Sequence, residues 1–150
     1  MSKADRAKEL FLMGYNCAQA TFGAFAEDYG LDFNVAMTLS AGLGGGIGRL
    51  RETCGAVTGA TLAVSLAMGS FELNNPDAKT EVYKEIRKVV EIFESETGTI
   101  VCADMIGVSR RGDSPDAEPR TPEYYKKRPC ADLVYLAADA AERIINDLNK

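Results

Sequence analysis

The chain has 150 residues, 46% hydrophobic and 26% charged, with a net charge of −5 and neither histidine nor tryptophan. That length suits one domain with a core of its own. The acidic balance leaves no electrostatic footprint for nucleic acid. The missing histidine excludes Ser-His and Cys-His catalysis and mixed Cys/His zinc sites.

The elements read as helices from one end to the other. Ala4 to Met13 is amphipathic, ends at Gly14 and lacks the apolar run of a secretory leader. Asn16 is placed to cap a helix from Cys17 to Tyr29, stopped by Gly30. Asp32 caps a third, from Phe33 to about Leu43. After a glycine-rich loop, Thr53 is placed to cap Cys54 to Met68, inside a long uncharged stretch, Thr53–Ser70. That stretch is slightly short for a bilayer and diluted by Gly, Ser and Thr, so a buried central helix over about 53–69 is expected, not membrane insertion.

Asn75-Pro76 signals the start of a long helix to about Glu96, with Val82, Ile86, Val89, Val90 and Phe93 on one face. Thr99 caps a short helix through Met105, and residues 107–120 form a polar Gly/Pro/Asp loop. Thr121-Pro122 opens another short helix. Pro129 opens the last one, whose inward face is expected to be Leu133, Leu136, Ala140, Ile144 and Leu148. No segment alternates at period two. The expectation is an all-α, single-domain helical bundle over residues 1–150. Small residues on the Cys54–Met68 helix permit close helix approach and allow a homodimer.

The loop GLGGGIGRLRETCGAVTGA, Gly42 to Ala60, holds five glycines within residues 42–48. Gly48 is followed by Arg49-Leu50, so the Walker spacing fails, and no frame satisfies G-x-G-x-x-G. The loop is therefore not read as a nucleotide cradle. It leads instead into a cysteine, Cys54.

Four cysteines share one local setting: Asn16-Cys17-Ala18, Thr53-Cys54-Gly55, Val101-Cys102-Ala103 and Pro129-Cys130-Ala131. Each falls in a first helical turn and is followed by a small residue. Free N–H groups and the helix dipole there favour thiolates. No pair is C-x-x-C, which excludes a thioredoxin motif and close-paired zinc fingers. If the four act together, the fold must gather them from separate helices, a setting suited to clustered thiolates or an iron–sulfur cluster.

These residues resemble the C_GCAxxG_C_C family of redox-active proteins. Cys54-Gly55-Ala56-Val57-Thr58-Gly59 matches its Cys-Gly-Ala-x-x-Gly motif. Gly14-Tyr15-Asn16-Cys17-Ala18 matches its first cysteine, and Cys102 and Cys130 match its third and fourth. The similarity runs over roughly residues 5–145. It implies a redox role for Cys17, Cys54, Cys102 and Cys130. A related module resembles part of split-Soret cytochromes, which carry an iron–sulfur centre besides haem; this chain has no C-x-x-C-H for haem attachment.

Three readings stay open. In the first, the four cysteines ligate an iron–sulfur cluster and pass electrons to a partner redox protein. The second is a metal-free thiol–disulfide protein with Cys54 as attacking thiolate, its pKa lowered by Arg49 and Arg51. The third is a four-thiolate zinc or packing module. Cysteine usage without a leader points to the cytoplasm, where disulfides are rare.

Overall fold

The computed structural model describes residues 1–150. Its elements are eight α-helices: α1 Lys3–Leu12, α2 Cys17–Gly23, α3 Phe33–Ser40, α4 Gly55–Met68, α5 Pro76–Thr97, α6 Cys102–Ile106, α7 Pro122–Lys127 and α8 Cys130–Leu148. Short 3-10 turns follow α2 at Ala26–Tyr29 and α3 at Ala41–Leu43. No strand forms; the one β-like contact is an isolated antiparallel bridge between Thr53 and Val101. The fold is all-α, as its patterning requires. No helix is long and apolar enough to cross a membrane.

Caps fix most helix starts. Ser2 and Asp5 form a capping box on α1, and Asn16 and Gln19 form one on α2. Asp32, Asn75 and Thr121 accept from backbone N–H groups in the first turns of α3, α5 and α7. Left-handed Gly30, Gly98 and Gly107 close the 3-10 turn, α5 and α6.

Helix α4 packs against α2, α5 and α8, and α8 also packs on α1. One hydrophobic core joins these helices. Ala56, Ala60, Ala63 and Val64 of α4 are fully enclosed within it. Two glycines set the α2–α4 distance. A Cβ on Gly59 would lie 2.7 Å from the Ala18 carbonyl oxygen, and one on Gly55 would lie 3.1 Å from the Ala18 nitrogen. Cysteine-bearing turns of two helices can approach because these positions have no side chain.

Several local expectations need correcting. The α2 helix stops at Gly23, not Tyr29, and the chain tightens into the 3-10 turn. Phe22, Ala24, Phe25 and Ala26 are all buried, a run that one face of a continuous helix could not turn inward. Cys54 is itself the N-cap of α4, because Thr53 is taken up by its bridge to Val101. Val101, not Thr99, caps α6, while the Thr99 hydroxyl accepts from the Val101 N–H. The inward face of α8 is rotated from the expected one. Val134, Ala137, Ala138, Ala141 and Ile145 are buried with Ala140 and Ile144, Leu133 and Leu136 are partly covered, and Leu148 is exposed. Alanines let α8 lie close to α1 and α4, so its bulky leucines move to the flanks.

Candidate functional site

All four cysteines line one pocket, together with Met105, Ile106 and Leu133. The pocket is a narrow cleft, and eight of its nine lining residues are hydrophobic. It is far smaller than ordinary small-molecule sites and leaves no room for a nucleotide, flavin or haem. All four thiols are free; Cys54 and Cys102 are buried, Cys17 and Cys130 half-buried.

Local structure explains how each sulfur arrives. Asn16 accepts from the Gln19 N–H at 2.9 Å and donates through Nδ2 to the Ala41 carbonyl at 2.9 Å. This ties the Cys17 turn to the end of α3. Cys54 and Cys102 are brought together by a short antiparallel pairing around the Thr53–Val101 bridge. The Cys54 N–H donates to the Ile100 carbonyl and the Cys102 N–H to the Glu52 carbonyl, each at 2.7 Å. Cys130 begins α8, whose packing against α1, α2 and α4 carries it to the same pocket.

The glycine loop folds over these sulfurs. Gly45, Gly46, Ile47, Gly48 and Arg49 are five successive residues with positive φ, and Arg51 follows at +62°. Left-handed backbone is costly for any residue with a side chain, and most of all for a β-branched one such as Ile47. The turn is closed by bonds from the Gly48 N–H to the Gly42 carbonyl at 2.9 Å and from the Arg51 N–H to the Gly45 carbonyl at 3.1 Å. A Cβ on Gly46 would stand 2.8 Å from the Cys102 Cβ, and one on Gly44 would strike the Asn16 side chain. The loop delivers backbone to the sulfurs, with the Gly45 N–H directed at Cys17.

The sulfurs differ electrostatically. Cys17 is drawn down to about 7 by a hydrogen bond from the Cys130 thiol, helped against burial by the Gly45 N–H and the Arg120 charge. Cys130 is pushed up by the same contact and by burial. Burial raises Cys54 to about 12, against N–H groups of Ala56 and Val57 that favour its thiolate. Burial also raises Cys102, although Arg51 opposes it. The expectation that helix N-termini would acidify all four thiols therefore fails at three, because loss of solvent at Cys54 and Cys102, and the bond to Cys17 with burial at Cys130, outweigh the dipole.

Among known proteins, the model of the family described as "Putative redox-active protein (C_GCAxxG_C_C)" matches residues 15–144. The chain belongs to this family. No curated protein and no solved structure matches it. In the C_GCAxxG_C_C motif of this chain, both glycines now have a physical reason: Gly55 and Gly59 are where α4 meets the Cys17–Ala18 turn.

The expected chemistry of the arginines changes. Arg51 does not act on Cys54; its Nη1 lies 3.7 Å from the Cys102 sulfur. Arg49 faces Asp113 at 3.6 Å and Glu118 at 3.4 Å. Burial holds the Cys54 thiol up, whereas Cys17 is the one sulfur of the four drawn down. The 107–120 loop, read from sequence only as a polar connector, supplies Asp113, Glu118 and Arg120 to the surroundings of the site. Arg120 donates to the Phe11 and Tyr15 carbonyls at 2.9 and 2.8 Å, with its guanidinium 4.3 Å from the Phe11 ring centre. The sequence signal was an arginine-rich loop followed by an acidic one.

The donor set can be tested against candidate metals. No three Cys, Asp or Glu groups are placed to share one ion. A four-thiolate zinc centre needs Zn–S of about 2.3 Å, so its sulfurs would crowd to about 3.8 Å apart. The pocket is not preformed for such an ion. A cluster of several irons takes soft thiolates and tolerates an apolar lining, and the pocket supplies four cysteines and a mostly hydrophobic wall.

Proposed function

We propose that this redox-active protein is an electron-transfer module whose Cys17, Cys54, Cys102 and Cys130 hold an iron–sulfur cluster. The observation that carries the reading is the convergence of four cysteines from four helix starts on one small apolar pocket. Such a group, when bound, supplies reversible one-electron chemistry. The chain's own residues do the rest. The Gly45 N–H favours the Cys17 thiolate, and the Ala56 and Val57 N–H groups favour that of Cys54. Arg51 places positive charge at Cys102. Met105, Ile106 and Leu133 restrict water. Half-buried Cys17 and Cys130 form the edge nearest solvent, where a partner redox protein would exchange electrons. Four free thiols suit a reducing compartment, and we place the protein in the cytoplasm.

A second reading is favoured by the Cys17–Cys130 pair. In metal-free protein, the Cys17 thiolate attacks a disulfide substrate and forms a mixed disulfide, releasing one thiolate. Cys130 then resolves it, leaving a Cys17–Cys130 disulfide and the reduced substrate.

Single Cys→Ser variants separate the two. Under the cluster reading, each of the four substitutions lowers bound iron and visible absorbance after anaerobic reconstitution. Under the thiol reading, only Cys17→Ser and Cys130→Ser abolish reduction of a small aromatic disulfide, and no variant changes colour. Retention of full iron content by any two of the variants would defeat the four-ligand proposal.

A further inference from the structure

Arg51 is a rare case of a buried guanidinium: only 7% of the residue is exposed. A buried charge persists where its partners are fixed. Its backbone is left-handed at φ +62° and paired across the site, with the Ala103 N–H donating to the Arg51 carbonyl at 3.2 Å. Its Nε donates to Asp113 Oδ2 at 2.7 Å, which fixes the plane of the fork. That orientation leaves Nη1 facing the Cys102 sulfur at 3.7 Å. A lysine has no second face with which to hold a carboxylate and a sulfur together.

The surrounding charges do not cancel. Arg49, Arg51 and Arg128 have side-chain exposures of 17%, 8% and 10%, and they share only Asp113 and Glu118. Lys127 also reaches Glu118, from the exposed side at 3.1 Å. Positive charge is therefore in excess beside the sulfurs, and its nearest direct contact with a sulfur is through Arg51.

We propose that Arg51, oriented by Asp113, is the charge-compensating residue of the four-cysteine centre, acting through Cys102 to favour its reduced, more negative state. This rests on the cluster reading. Reduction takes one electron from a mediating dye and neither makes nor breaks a bond. A cation held at a ligand sulfur should stabilise the added charge, and an anion sharing that cation should oppose it.

The test is a dye-mediated redox titration, under anaerobic conditions, of reconstituted wild type, Arg51→Gln and Asp113→Asn. Removing the cation should lower the reduced-to-oxidised ratio at fixed ambient potential at least tenfold, a midpoint shift of about −59 mV for one electron. Removing the anion should raise the same ratio at least threefold. Asp113 is partly exposed, so its variant tests the proposal even if Arg51→Gln does not fold. Arg51→Lys, which keeps the charge, should lie closer to wild type than Arg51→Gln. Opposite-signed shifts are what a merely structural role would not produce. Shifts of the same sign, or an Asp113→Asn midpoint equal to wild type, overturn the assignment. A wild-type protein that gains no chromophore instead defeats the cluster reading, and this proposal with it.

Discussion

Gly59→Ala tests whether the α2–α4 approach holds the site together. Two effects oppose each other. Alanine within a helix is favoured over glycine by about 1 kcal/mol. Against that, the new Cβ would stand 2.7 Å from the Ala18 carbonyl oxygen and 3.0 Å from the Thr21 Cβ. Overpacking of this kind costs about 1–3 kcal/mol. The struck atom is backbone and cannot swing aside, and both Thr21 and Ala18 are fully buried. The cost should therefore fall at the upper end, for a net loss of about 1–2 kcal/mol. For a chain of this size, that lowers the melting temperature by roughly 2–8 °C. Thermal unfolding of metal-free protein, followed by far-ultraviolet circular dichroism, measures it. A Gly59→Ala protein as stable as wild type, or more stable, would refute the close-approach explanation of the motif's last glycine.

In the metal-free protein, alkylation by iodoacetamide should begin at Cys17, with a rate that rises as pH increases through about 7, because only the thiolate reacts. Cys54, raised to about 12, should stay unmodified at neutral pH; peptide mapping by mass spectrometry distinguishes the two. The depressed Cys17 pKa stabilises the fold above the ordinary thiol range, and that contribution is lost as pH falls through about 7, which urea unfolding at a series of pH values measures. Asn16→Ala removes both the α2 cap and the bond to the Ala41 carbonyl, and should cost about 1–2 kcal/mol in urea unfolding; Asn16→Ser should recover part of it.

Helix identity was legible because caps and hydrophobic period are local signals. Asn16, Asp32, Asn75 and Thr121 act where their sequence context places them. The four cysteines were legible as a group from their shared neighbours. Their ranking was not. Cys54 looked the most activated because two arginines precede it, yet Arg51 turns back across the Thr53–Val101 bridge to Cys102. That reversal depends on a left-handed loop whose φ values no periodicity encodes. Burial of Cys54 and the role of Asp113 depend on contacts between distant segments, so a polar loop was all that residues 107–120 disclosed. The rotation of α8 had a similar origin: alanine density, not leucine position, decided which face could approach its neighbours.

The central claim is that four cysteines form one iron–sulfur centre, and its most direct measurement is iron and acid-labile sulfide on wild-type protein purified without oxygen, read with its visible absorption and electron paramagnetic resonance after reduction. Iron and sulfide in near-equal amounts, a broad visible band and a signal from the reduced state are expected, with all four thiols protected from alkylation. Colourless protein that binds neither iron nor sulfide on reconstitution, and exposes a reactive Cys17 throughout, would contradict it.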